Sequence, residues 1–196
     1  MTDDDPARCG MLIVMSGPGG VGKDTLIAML RARDPRLCYS VSYTTRPRRD
    51  YEVDGKHYSF VDEDGFARLA AEGQLLEHAR IDGYLYGTSA SRIDDALPRG
   101  RDVILKIDVQ GAEQVRQGRP KAVFIFISPP SMDELMRRRQ RRGSEPAATI
   151  QARQRLAEVE MGYSQRYDHV VVNDDADRAV RQIEAILDLE RERGRA

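Results

Sequence analysis

Gly17-Pro18-Gly19-Gly20-Val21-Gly22-Lys23-Asp24-Thr25 is the stretch on which the reading of the fold turns. Met11-Leu-Ile-Val-Met15-Ser16 comes directly before it, an apolar run rich in β-formers that predicts a buried strand. Leu26-Ile-Ala-Met-Leu30 comes after it, helical in composition and without a breaker. Strand, glycine-rich turn and helix together make the setting of a phosphate-binding loop. Glycines let successive backbone N–H groups curl round an anion, and the helix N-terminus adds partial positive charge. Lys23 supplies a mobile cation for the β- and γ-phosphates of a nucleotide. One position departs from the pattern. The residue after the lysine is ordinarily Ser or Thr, a hydroxyl ligand for Mg²⁺, and here it is Asp24. Thr25 is no simple substitute, because adjacent helical residues point about 100° apart.

The remaining composition narrows the class. A chain of 196 residues suits one domain with a substantial core. Charged residues make up 32% of it, yet the formal net charge is −1, which argues against a general nucleic-acid or anionic-membrane binder. No apolar run approaches a membrane span, and the acidic start Met1-Thr-Asp-Asp-Asp-Pro6 has no signal-peptide core. Cys9 and Cys38 lack metal-ligand spacing and read as free thiols, so a cytoplasmic location is expected. Lysine occurs only at positions 23, 56, 106 and 121, with arginine supplying the other basic groups.

Along the chain, the first helix should stop near Asp34-Pro35, where the proline disfavours helical geometry behind it. Leu37 to Thr45 reads as extended, Arg46 to Asp50 as an exposed turn, and His57 to Val61 as a strand. A helix from about Asp62 to Glu72 precedes strand-like pieces at Gln74–Ile81 and Gly83–Thr88. Strands at Arg101–Asp108 and Lys121–Ser128 are each followed by a helix, Gln110–Gln117 and Ser131–Arg141. A longer helix from about Pro146, the strand His169–Asn173 and a helix from about Asp175 complete the chain. Alternating strands and helices imply a parallel sheet covered on both faces, with ligands at the carboxyl ends of the strands.

Further motifs lie in the middle third and beyond: Ser40-Val-Ser42-Tyr-Thr-Thr-Arg46-Pro-Arg-Arg49, Glu52-Val-Asp-Gly55-Lys-His-Tyr58, Leu76-Glu77-His-Ala, Tyr84-Leu-Tyr86-Gly87-Thr88, Asp108-Val-Gln-Gly111 and Val172-Asn173-Asp-Asp175. From about Met11 to Leu187 the set resembles guanylate kinase. That resemblance implies an α/β, P-loop NTPase three-layer fold with a parallel core sheet, an inserted β-rich GMP-binding flap and a helical lid. The expected divisions are a flexible segment 1–10, one domain 11–190 and a tail 191–196. Within the domain the core is 11–41, 89–136 and 160–190, the flap about 42–88 and the lid about 137–159. The implied reaction moves the γ-phosphoryl group of ATP to GMP with Mg²⁺ as cofactor, giving ADP and GDP. The implied partners are those two nucleotides, with no nucleic acid or membrane, in a monomer or homodimer.

The resemblance also assigns residues. Gly17, Pro18, Gly19, Gly20, Val21, Gly22, Lys23, Asp24 and Thr25 would bind ATP, joined by Arg142 and by Asn173 on the adenine side. Ser42, Arg46, Arg49, Tyr58, Glu77, Tyr86, Gly87, Thr88 and Asp108 would bind GMP. Fork-shaped guanidinium groups suit the GMP phosphate, and one carboxylate, Glu77, can accept from both N1–H and N2–H₂ of guanine. Lys23, Arg46, Arg138, Arg142 and Arg153 would neutralise charge in the transfer, with Asp108 and Asp24 as candidate metal ligands. In the run Arg137-Arg-Arg-Gln-Arg-Arg142 the arginines spread round a helix, so not all can face one ligand. The resemblance selects Arg138 and Arg142 with Arg153, which leaves Arg137, Arg139 and Arg141 expected on the surface. Two other readings remain open. One is a ribose 1,5-bisphosphate phosphokinase-like enzyme, whose loop also has Asp after Lys. The other is a non-catalytic guanylate-kinase-like domain that binds phosphopeptides.

Arg48, Tyr51, His57 and Lys106 also depart from the residues the resemblance implies, namely proline, glycine, aspartate and an acid. The first three alter the turn of the flap. Asp24 adds a negative charge beside a polyphosphate, and Lys106 adds a positive one where an acid is usual. Together they conserve the local charge sum, so an Asp24–Lys106 ion pair is expected, with Mg²⁺ held mainly by phosphates and water. The competing expectation is that Asp24 ligates the metal and Lys106 is an unrelated surface lysine. A cycle of Asp24→Ser, Lys106→Glu and the double variant, read in kcat/KM, decides between them. A pair shows coupling of about 0.5–3 kcal/mol with the double variant better than either single one. Additivity within about 0.5 kcal/mol excludes it.

Overall fold

The structure, a computed structural model, describes residues 9–141 and 147–194, with the backbone alone for 147–153. The expected flexible segment therefore lies almost wholly outside the described residues. Two compact units are distinguished: the chain up to Ile13 with Arg36–Ala122, and Val14–Pro35 with Val123–Ala196.

In the first unit, β2 (Leu37–Tyr39) runs parallel to β7 (Asp102–Lys106), with Leu37 opposite Asp102 and Tyr39 opposite Ile104. A four-stranded sheet has the order β4-β3-β6-β5, built from β3 (Tyr43–Thr44), β4 (Ser59–Phe60), β5 (Leu75–Ile81) and β6 (Tyr84–Ser89). The β5–β6 hairpin is closed by Asp82 and Gly83, both at positive φ (48° and 86°), as a type I′ turn requires. Leu37–Thr45, which reads as one extended stretch, thus divides between two sheets. Helices α2 (Glu63–Ala71), α3 (Ala90–Ala96) and α4 (Val109–Gly118) belong to the same unit. Asp62, Ser89 and Asp108 cap them by accepting from the backbone N–H three residues on. The sequence reading assigns no element where α3 lies. Gln114 of α4 holds β5 in place, its amide donating to the His78 carbonyl at 2.8 Å and accepting from the His78 N–H at 3.1 Å.

In the second unit, β8 (Val123–Ser128) runs parallel to β9 (His169–Val172). All six residues of β8 are buried, as a parallel strand covered on both faces should be. Helices α1 (Lys23–Arg33), α5 (Met132–Gln140), α6 (Ala147–Gly162) and α7 (Ala176–Arg193) complete it. α7 runs into the segment expected as a tail, ending at Arg193, with Arg191 buried. β1 (Leu12–Ser16), buried throughout, carries the chain from one unit to the other. This is the expected α/β architecture with a parallel core sheet.

Helix α1, which opens on the phosphate loop, is tied to α7 at both ends of its contact. Arg33 pairs with Asp177 at 2.7 Å near the α7 start, and Arg191 pairs with Asp34 at 2.6 Å and Asp188 at 3.0 Å near its end. Arg191 is the more buried of the two arginines, so it resists screening better. Replacement Arg191→Met keeps the apolar stem but removes the guanidinium from Asp34 and Asp188, and it should cost about 1–3 kcal/mol in chemical denaturation. Arg33→Met should cost less than about 1 kcal/mol, the ordinary range for an exposed pair.

Candidate active site

The phosphate loop joins β1 to α1. Gly17 sits at φ 139°, and a side chain there would run into the Ile127 carbonyl of β8. Gly22 caps α1 in the left-handed conformation at φ 107°, where a Cβ would come within 2.5 Å of the Asn173 amide nitrogen. Only glycine meets both conditions at either position. The Lys23 ammonium donates to the carbonyls of Gly17 and Pro18, so it lies over the loop rather than out in solvent. Val21 N–H bonds back to the Pro18 carbonyl at 3.2 Å, closing the turn. Asp24 and Thr25 are exposed in the first turn of α1, where an acid suits the positive helix end.

Asn173 is expected beside adenine. In the structure it is buried, its side-chain N–H donating to the Val21 carbonyl at 2.8 Å. Arg138, expected as a phosphate clamp, pairs with Glu134 at 2.9 Å and donates to the Asn173 and Asp174 carbonyls at 2.9 and 3.5 Å. It fastens α5 to the end of β9. Arg137 and Arg141 are exposed as expected, but Arg139 is not a plain surface residue: its Nε–H donates to the Gly19 carbonyl at 2.7 Å. The helical repeat spreads the arginines round α5, but it does not reveal what α5 packs against. Arg142 lies outside the described residues, and Arg153 is described by its backbone alone, within α6.

The first unit holds a separate cluster of arginines and tyrosines. The segment from Arg46 to Glu52 is organised by Glu52, a buried carboxylate that sequence reasoning assigns no role. One of its oxygens accepts from the Arg46 guanidinium at 2.7 Å and the other from the Arg49 N–H at 2.8 Å. Burial alone would raise this carboxyl's pKa, yet the arginine hydrogen bonds and charges outweigh burial and hold it below the ordinary value. The bond from Glu52 in turn raises the pKa of Arg46, and the Tyr86 hydroxyl adds to the rise. Arg46 stacks 5.5 Å from the Tyr58 ring, and Tyr58 meets Tyr86 edge-on at 5.9 Å. Arg49 donates to the exposed Tyr51 hydroxyl at 2.8 Å. Arg46, Arg49, Tyr58 and Tyr86 therefore form one cluster. The departures fit the turn: Arg48 donates to the Glu52 carbonyl at 3.1 Å, and His57 Nδ1 accepts from the Val53 N–H at 2.9 Å. The Lys106 ammonium stands 5.4 Å from the Tyr58 ring and 5.9 Å from that of Tyr39. An acid three residues past Arg49, amid so many exposed charges, is the one local signal that could have singled out Glu52.

Glu77 is the second buried carboxylate of this unit, 4% exposed on β5. It accepts from the Thr88 hydroxyl at 2.5 Å, and its other oxygen occupies the space a side chain on Gly111 would need. Among the described residues no guanidinium offsets its burial. Desolvation pushes its pKa up to about 7 against the Thr88 hydrogen bond, with a further upward push from Asp108. Asp108 caps α4 through the Gly111 N–H at 2.8 Å. Ser42 is buried with its carbonyl accepting from the Ser59 N–H at 2.9 Å, and Gly87 is buried against Phe66 and Leu75. Ser42 and Gly87 line the sheet that carries Glu77 and Thr88.

Between about pH 4.5 and 7 the folded protein retains a proton on Glu77 that the unfolded chain releases. Stability therefore falls as pH rises through that window, and the cost is fully present above it. Glu77→Gln keeps the Thr88 acceptor without the charge. It should match the parent at pH 5 and exceed it at pH 8 by about 1–3 kcal/mol in urea denaturation. A parent and variant that respond alike to pH would show that Glu77 ionises normally.

Known proteins supply an independent measure. A family profile described as "Guanylate kinase" matches residues 10–190. The chain is 48% identical to a guanylate kinase of Thermus thermophilus over 184 residues, 94% of this chain and 83% of that one. It is 47% identical to that of Desulfitobacterium hafniense over 178 residues, covering 91% and 89% of the two. The crystal structure of guanylate kinase from Anaplasma phagocytophilum superposes with a TM-score of 0.79 at 34% identity, covering 94% of this chain and 87% of that one. With a tight phosphate loop, a separate arginine–tyrosine cluster and this extent of likeness, the chain belongs to the guanylate kinase family.

Proposed function

We propose that the chain transfers the γ-phosphoryl group of ATP to GMP, a phosphate oxygen of GMP attacking the γ-phosphorus as ADP leaves. The single observation that carries the choice of acceptor is the buried Glu77 carboxylate on Thr88. Guanine presents two adjacent N–H donors to a carboxylate, whereas adenine presents an acceptor at N1. The Arg46–Arg49 pair, aligned by Glu52 and flanked by Tyr58 and Tyr86, supplies fork-shaped and hydroxyl donors for the acceptor's phosphate. Ser42, Gly87 and Asp108 are assigned to the same acceptor site. Loop residues 17–25, with Lys23, take the polyphosphate of ATP. Arg138, Arg142 and Arg153 are assigned to charge neutralisation during transfer, a role that in phosphoryl transfer is worth about 10³–10⁵ in rate. For Arg138 this requires release from the carbonyls it now holds.

Mg²⁺ is the proposed cofactor, and when bound it neutralises charge on the β- and γ-phosphates. Among the described residues no group of three or more His, Cys, Asp or Glu is gathered to hold a metal. Mg²⁺ at a nucleotide is commonly kept by phosphates and water with one or two carboxylates. Asp24 and Asp108, whose Oδ2 receives a long 3.3 Å contact from Gln110, are the candidates. Purine nucleotide metabolism in the cytoplasm is the setting this chemistry suits. Among the described residues no helix is long and apolar enough to cross a membrane. Neither the ribose bisphosphate nor the phosphopeptide reading gains an observation from the fold.

ADP release from MgATP with GMP, AMP or ribose 1,5-bisphosphate tests the assignment, with GMP preferred by a wide margin. Only ionised Glu77 accepts from both guanine donors, and its pKa stands at about 7. The KM for GMP should therefore be about tenfold higher at pH 6 than at pH 8, while kcat at saturating GMP changes less. Equal turnover of AMP, or a KM for GMP flat in pH, would remove Glu77 as the base reader.

A further inference from the structure

The outer rim of the phosphate loop is held at two carbonyls by side chains from elsewhere in the second unit. Gly19 C=O accepts from Arg139 Nε–H at 2.7 Å, and Val21 C=O accepts from the Asn173 amide at 2.8 Å. Both contacts need glycine beside them. The Arg139 stem passes 2.9 Å from where a Cβ on Gly20 would sit, and Gly20 is at φ 87°. The Asn173 amide does the same at Gly22. Loop and braces are therefore fitted to each other.

A trans peptide unit is planar, and its C=O and the following N–H point in opposite directions. Pulling Gly19 C=O towards Arg139 turns the Gly20 N–H to the opposite side of the loop. Pulling Val21 C=O towards Asn173 does the same for the Gly22 N–H. These two N–H groups are among those an anion in the loop would use. A loop without the braces must order these peptide units on binding and loses affinity for it. The arginine is suited to its end, because a charged donor bonds a carbonyl more strongly than a neutral one.

We infer that Arg139, acting with Asn173, orients the Gly20 and Gly22 N–H donors and so sets the affinity of the loop for the polyphosphate of ATP. Arg139 is a positioning residue for the donor nucleotide, not an exposed arginine of α5. The inference rests on the ATP-binding role proposed for the loop and goes beyond it by adding a residue outside the loop.

The test uses the full chain with Arg139→Ala and Arg139→Lys. Binding of the Mg²⁺ complex of the imido-bridged, non-hydrolysable ATP analogue is measured by calorimetry without acceptor, beside Tm and steady-state kinetics for both substrates. Arg139→Ala should weaken analogue binding about tenfold and raise the KM for ATP to match, the loss of one charge-assisted hydrogen bond. The KM for GMP should stay within about twofold, Tm close to the parent, and Arg139→Lys should recover part of the loss. Analogue binding within about twofold of the parent for Arg139→Ala would overturn the inference, as would equal rises in both KM values. Since the calorimetry contains no acceptor, an error in assigning GMP would surface in turnover alone and leave this result intact.

Discussion

Burial of β1 and β8 on both faces is the constraint from which the rest follows. Such strands expose polar backbone only at their ends, so polar chemistry is confined to the loops that leave them. At the end of β1 the chain must turn at once into α1 while passing close to the Ile127 carbonyl, and Gly17 permits it. The same turn leaves successive N–H groups unpaired at a helix start, which is the chemistry of an anion site. Helix α1 can be relied on to keep that start in place because arginine–carboxylate pairs moor it to α7.

Two buried glutamates of the first unit show how environment sets chemistry. Glu52 and Glu77 are almost equally hidden, at 4% exposure each. Glu52 accepts from the Arg46 guanidinium and the Arg49 backbone N–H and remains a firm anion, so it fixes the turn that carries both arginines. Glu77 faces a hydroxyl and another acid, so its charge is costly until a ligand supplies donors. A carboxylate in that condition recognises a partner by what it lacks. Under the proposed function, the two N–H donors of the guanine edge take that part.

Most of the fold was legible because its signals are local. The phosphate loop is a fixed spacing between a strand and a helix, and the helices after Asp62, Ser131 and Asp175 begin at side chains that cap them. What escaped was partnership. Leu37–Thr45 looks uniformly extended, and extended geometry says nothing about β2 and β3 joining different sheets. Helix α3 buries only Ile93 and runs for seven residues, too short for a periodic pattern, although its Ser89 cap was there to be read. Glu52 and Arg139 are single charges in a chain dense with them, and only tertiary contact separates them from their solvated neighbours. Asn173 was identified as a site residue, but its contact is with the loop and not with open space.

The scarcity of lysine has a chemical consequence. Primary amines on side chains occur at four positions, and one of them lies folded over the phosphate loop against the Gly17 and Pro18 carbonyls. Acylation at that amine would erase the cation the loop presents to a polyphosphate, while acylation at Lys56 or Lys121 would touch neither binding arrangement. Arginine, which resists such reagents, carries nearly all the remaining positive charge. The protein therefore keeps its acylation chemistry concentrated at very few places, and mass mapping of amine labels becomes a direct reporter of whether the loop is occupied.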